Sequence, residues 1–140
     1  LGLMTSSTHT KLLADMLGSH GLESRITARL ADDAQATIRI WPYAVSQNRV
    51  EANESLPRAS KSGRFESPRD HQRTHVLVLP STLDVYDQAR RIVFENPVLA
   101  HGEARIRVMV EPLPLAEITA LFLASRVEYC LALGLVLDDA

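Results

Sequence analysis

The sequence predicts an α+β fold: a single mixed β-sheet with helices packed against it, in the order α-β-β-β-α-β-α-β. Three observations carry this. Five short stretches have the apolar alternation or the continuous apolar run of strands. Three others repeat apolar residues at helical spacing. One long polar stretch, about residues 46–72, interrupts them, with no internal repeat and no sign of a second domain. The 140 residues are 46% apolar and 23% charged, the balance of a soluble globular domain able to bury a core without staples.

Taken in order, TSSTHTKLLADMLG (5–18) places Leu12, Leu13, Met16 and Leu17 on one stripe behind a Ser/Thr-rich start, and Gly18 and Gly21 close it. SRITARLA (24–31) alternates Ile26, Ala28 and Leu30 with Arg25, Thr27 and Arg29, which predicts a strand with one wet face. ATIRIWPY (36–43) is β-branched and aromatic, and Pro42 places its end at an edge or a bulge. THVLVLP (74–80) is apolar throughout, as a central strand is.

A helix then opens at Ser81 with Asp84 three residues on. Val85, Ala89, Ile92 and Val93 form its inner stripe, and Asn96-Pro97 ends it. ARIRVMVE (104–111) puts Ile106, Val108 and Val110 on one strand face and Arg105, Arg107 and Met109 on the other. In EPLPLAEITALFLAS (111–125) Pro112 and Pro114 frame a helix over about 114–125, which is apolar or small nearly all round. Leu115, Ile118 and Phe122 are expected to face the sheet. That leaves Ala116, Thr119, Ala120 and Leu123 elsewhere on the cylinder, with Leu121 widening the arc, so the helix is either buried on most sides by its own domain or turned to a subunit interface, the reading favoured here. YCLALGLVL (129–137) is the last strand, with large odd positions, small even ones and no wet face. The small face admits a close approach by a helix or another backbone.

Chemistry is sparse. A net charge of −2 points to neither nucleic acid nor an anionic membrane. No run approaches the ~18 apolar residues of a membrane helix, and the N-terminal residues lack the pattern of a signal peptide. The single cysteine, Cys130, cannot form an internal disulfide and reads as a buried, inert thiol in the last strand. His9, His20, His71, His75 and His101 form no ligand pair and read as scattered surface residues. Asp32-Asp33 and Asp138-Asp139 read as a solvated turn and a solvated end. Phosphate loops, dinucleotide fingerprints and nucleophile elbows are missing. No metal, cofactor or catalytic residue is expected. Were the chain a small enzyme or ligand-binding domain, His75, Arg105, Arg107 and Tyr129 would be its lining residues.

The long loop carries Arg49, Arg58, Lys61, Arg64, Arg69 and Arg73 against Glu51, Glu54, Glu66 and Asp70, with Phe65 as its one aromatic. It is either a solvated loop or an arm that orders on a protein partner, and its charge and stacking are too meagre for nucleic acid.

Several stretches, in their order and spacing over about residues 10–137, carry a resemblance: IRIWPYAVSQNRVEANESLPR, HVLVLPST, QARRIVFENPVLA and ARIRVMVEPLPLAEITALFLASRVEYCLALGLVL. Together the chain resembles the tail-terminator (tube-cap) proteins of phage-tail-like contractile injection systems. Trp41-Pro42-Tyr43 departs from the family's usual strand end, and HVLVLP lacks its usual tyrosine. With the chain closing soon after the last strand, the C-terminal extension of longer relatives is not expected.

The resemblance implies a phage tail-terminator-like fold and structural rather than catalytic work. Such subunits form a six-membered ring on the end of the inner tube away from the baseplate. The ring stops tube growth and anchors the last sheath ring. The implied partners are further copies of the chain, the tube protein and the sheath protein. Assembly would be cytoplasmic, within a particle that can be released. Arg49, Arg58, Lys61, Arg64, Phe65, Arg69, Ala120 and Leu123 are then candidate contacts with a partner or a neighbouring subunit. Another adaptor of the same particle, at a baseplate or head joint, is the alternative.

Overall fold

A computed structural model describes residues 5–32, 35–47, 72–128 and 130–139. Its elements run α1 (Ser6–Ser19), β1 (Ser24–Ile26), β2 (Ile38–Gln47), β3 (Gln72–Pro80), α2 (Leu83–Glu95), β4 (Val98–His101), β5 (Ala104–Val110), α3 (Leu115–Ala124) and β6 (Leu133–Asp139). The strands form one sheet in the order β1-β2-β3-β6-β5-β4. Only β1 and β2 pair in parallel; the other neighbours are antiparallel. The mixed α+β sheet is the one predicted, with an additional strand.

Both caps of α1 are legible in its residues. Thr5 accepts a hydrogen bond from the Thr8 amide at 3.3 Å, which satisfies one free donor of the first turn. At the far end Leu22 N–H donates to the Leu17 carbonyl and Gly21 N–H to the Gly18 carbonyl. This double closure needs a left-handed residue, and Gly21 supplies it at φ 85°. Leu17 and Leu22 are thereby brought together in the core. α2 begins one residue later than expected. Thr82, not Ser81, is its cap, accepting from the Val85 amide at 3.2 Å.

Val76, Val78, Leu133, Leu135, Leu137, Ile106, Val108, Ile38 and Ile40 share the core face of the sheet with Leu13 and Leu17 of α1 and Ala89, Ile92 and Val93 of α2. The opposite, or back, face carries a smaller cluster of Leu30, Leu79 and Phe122, joined by Trp41, Ile118, Val127, Cys130 and Ala132. β3 and β6 lie centrally and are buried on both faces. This explains why THVLVLP runs apolar without alternation.

Pro42 sits where its missing amide costs nothing. β1 pairs only with Ile38–Ile40, so Pro42 lies beyond the end of that neighbour. Register against β3 slips between Pro42 and Ala44, the expected bulge.

Four expectations are corrected. The strand placed at 24–31 stops at Ile26, which is exposed. The Asp32 carboxylate accepts from the Ala28 and Arg29 amides and folds the next residues into a turn, sending Leu30 to the back-face cluster. β4 was missed because VLAH is only four residues long. Gly102 at φ 61° makes the tight turn that pairs it with β5. The last strand begins at Leu133 and runs to Asp139, so Cys130 lies before it, half-buried. Asp138 and Asp139 belong to that strand and not to a solvated end: Asp138 is 1% exposed.

The close approach predicted for the small face of the last strand occurs at Gly134, and a backbone segment makes it. Glu111 N–H donates to the Gly134 carbonyl at 2.8 Å. A Cβ at position 134 would lie 2.7 Å from the Glu111 carbonyl oxygen. Gly134→Ala is therefore expected to cost about 2 kcal/mol through overpacking, read as a lower urea midpoint. An unchanged midpoint would show that the 111–113 segment can yield.

Candidate partner-binding surface

The helix that the sequence left without a polar side is α3. Pro114 stands at its N-cap, φ −57° and ψ 144°, without a side-chain capping bond. The Glu117 and Ile118 amides donate to the Pro114 carbonyl. At its end Val127 N–H reaches back to the Phe122 carbonyl at 3.1 Å, and Arg126 takes a left-handed φ of 57° to allow it. This fold-back carries Val127, Cys130 and Ala132 onto the back-face cluster.

Phe122 is the one buried residue of α3, and Ile118 and Leu121 are half-buried. Leu115, expected to face the sheet, is 69% exposed, and Leu123 is 76% exposed. Ala116, Glu117, Thr119, Ala120 and Ala124 are exposed too. The reason for the Leu115 correction is placement: α3 packs by its C-terminal half, where Phe122 meets Leu79 of β3, while its start is held out by Pro112–Pro114. Ala120 and Leu123 lie on the open side, where the spare apolar arc was expected. Arg49, Arg58, Lys61, Arg64, Phe65 and Arg69 fall outside the described residues.

Beneath α3 the back face holds a polar strip that the sequence did not disclose. His75 Nδ1 lies 3.0 Å from Glu111 Oε2, and its Nε2 lies 2.8 Å from the Ser46 hydroxyl. Tyr43 stacks obliquely between Trp41 and His75, with ring centroids 5.6 and 6.2 Å away. Burial, then the charges of Glu111 and Glu117, push the Tyr43 phenol up to about 12 from its usual 10.0. A raised acid favours the folded state while it is protonated. The contribution is whole below pH 10 and is lost as pH rises from 10 through about 12. Stability of the native chain should fall across that window, and a Tyr43→Phe variant should fall less. Parallel denaturation curves for the two would refute the assignment. Burial also raises the Cys130 thiol, partly offset by the Arg39 charge, in keeping with an inert thiol.

Two histidines read as surface residues are structural. His9 is fully buried, its Nε2 2.8 Å from Asp139 Oδ1 and its Nδ1 3.0 Å from the Thr74 hydroxyl. The three side chains have the composition of a hydrolytic triad, but His9 and Thr74 have no exposed surface. No substrate can reach them, and the arrangement instead ties α1 to β3 and β6. The described groups that a small enzyme would have used are each engaged by neighbours. Arg105 bonds the Gly102 and Ala104 carbonyls of its own hairpin, Arg107 bonds Asp138, and His75 bonds Glu111. Tyr129 lies outside the described residues. Among the described residues no group of three or more His, Cys, Asp or Glu side chains is placed to hold a metal, and no helix is long and apolar enough to cross a membrane.

No family model and no curated protein matches the sequence. Solved structures do match the fold. One is the sheath/tube terminator of PVC, an extracellular contractile injection system, in its extended state, at TM-score 0.68 and 17% identity, covering 99% of this chain and 57% of that one. Another is the tube-terminating cap of the anti-feeding prophage, AFP, at TM-score 0.71 and 13% identity, covering 98% of this chain and 55% of that one. The chain thus has the fold of the tail-terminator proteins, as the resemblance implied. It spans little more than half the length of either structure.

Proposed function

We propose that this chain is a structural cap subunit of a contractile injection system. It forms a ring, six-membered by resemblance, on the end of the inner tube away from the baseplate. The ring stops tube growth and gives the last sheath ring its attachment. Assembly takes place in the cytoplasm, on a particle that can be released. The observation that carries this reading is α3: a helix with the terminator fold behind it and an apolar face, Ala120 and Leu123 included, turned to solvent. Exposed apolar surface of this kind marks a contact between proteins. A closed ring requires two different patches on each subunit, and α3 supplies one.

The test is assembly of the purified chain with the tube and sheath proteins of a contractile injection system, followed by electron microscopy and mass measurement. Rings on tube ends and shortened tubes are expected. Leu123→Glu should leave the fold intact, because the side chain is already in water, and should abolish ring formation. A free monomer alone decides nothing, since a ring protein can assemble only on its target. A chain that stays monomeric with tube protein present, and leaves tube length unchanged, defeats the reading.

A further inference from the structure

The back face of the sheet is covered by α3 at the β2–β3 end and by no described element at the β5 end. There Val98, Arg105, Arg107 and Met109 are exposed. Next to them Asp138, 1% exposed, is shared by two guanidiniums. Arg107 donates through Nε to Oδ1 at 3.1 Å and through Nη2 to Oδ2 at 3.3 Å; Arg73 donates through Nη2 to Oδ2 at 3.2 Å. The three residues sit opposite one another across β3, β6 and β5.

One carboxylate cannot neutralise two guanidiniums, and Arg105 adds a third on the same strand face. Among the described residues of this strand face the other carboxylate, Glu111, is engaged by His75 at 3.0 Å. The buried carboxylate also fixes its arginines in place. A guanidinium already held loses little further freedom when it takes up a second anion, and its planar fork suits a carboxylate.

We propose that this uncovered half of the back face is a docking site for an acidic, partly apolar segment of a partner protein. Its carboxylates pair with Arg107, Arg73 and Arg105, and its apolar side chains rest on Val98 and Met109. A protein is favoured over nucleic acid because Asp138 and Glu111 interrupt the positive charge and because apolar side chains flank it. The inference goes beyond the cap reading and does not depend on the ring.

Anisotropy of a short fluorescein-labelled peptide alternating glutamate and leucine tests it, with a lysine–leucine peptide and a labelled single-stranded oligonucleotide alongside. The acidic peptide should bind best, and more weakly as salt rises. Arg105→Glu and Arg107→Gln should each weaken it about tenfold, and Arg107→Lys should restore part of the loss. Arg90→Glu, on α2 across the sheet, should change nothing. Among the described residues Arg105 bonds only its own hairpin, so its variant keeps the test valid should Arg107→Gln loosen the fold. The proposal is overturned if the oligonucleotide or the basic peptide binds as well. It is overturned too if the Arg105 and Arg107 variants bind normally, or if Arg90→Glu weakens binding equally. Ring assembly by Arg105→Glu would leave the reading of α3 untouched whichever way the peptide behaves.

Discussion

Replacing Phe122 with alanine is expected to cost about 4 kcal/mol, or roughly 10–15 °C in melting temperature. Phe122 is 2% exposed and is the sole buried side chain of α3. Its ring fills the space over Leu79 of β3 and beside Leu30 from the turn after β1. Truncation leaves a cavity that the rigid sheet beneath cannot close, so the loss exceeds simple transfer of the ring to water. The damage should also be local. The helix has no side-chain cap and little other buried surface, so it should detach before the sheet melts. Amide exchange over 115–124 should approach the rate of an open chain while β3 and β6 stay protected. The neighbouring change Leu123→Ala, at a largely exposed position, should stay within about 0.5 kcal/mol. A loss below about 1 kcal/mol at Phe122 would mean that Val127, Cys130 and Ala132, and not this ring, hold α3 down.

Asp138→Ala ranks next, at about 3 kcal/mol. The carboxylate is buried while its two partners are half-open to water, Arg73 at 36% and Arg107 at 45% side-chain exposure. Removing it strands two like charges side by side and opens three hydrogen bonds across β3, β6 and β5. Arg73 Nε, already buried without a partner, is left worse off. Because both guanidiniums can turn partly toward solvent, the cost stays at the low end of what breaking a fully buried pair brings. Asp138→Asn keeps the shape and some acceptor capacity and should lose about half as much. Chemical denaturation with both variants is the measurement. Equal losses for the two would show that the charge carries the whole contribution and the shape and neutral acceptors none.

What could be read along the chain was whatever depends on near neighbours. The stripe of α1, the inner stripe of α2, the alternation of ARIRVMVE and the continuous apolar run of β3 each follow from a local period, and each is found where it was expected. Pro42 announced the bulge in β2 because a missing amide is a local fact. Misplacements came where period and length ran out. VLAH is too short to show a period. SRITARLA alternates by coincidence: Ile26 is in water, and Leu30 reaches the back face through a turn that Asp32 closes. The candidate contacts divided the same way. The open side of α3, with Ala120 and Leu123, was legible as an apolar arc too wide for one face, whereas which end of the helix would pack was not.

The sequence by itself determined the α+β class, the mixed sheet, nearly all the elements and the spare apolar surface of one helix, since all of these rest on spacing within a dozen residues. Tertiary structure alone decided which polar groups meet. His9 finds Thr74 and Asp139, His75 finds Glu111, and Asp138 collects Arg73 and Arg107, over separations of 31 to 130 residues. A histidine or aspartate in a sequence carries no mark of its future partner. Its burial is tolerable only once a strand register has set the opposite charge across from it, and that register is a property of the whole sheet.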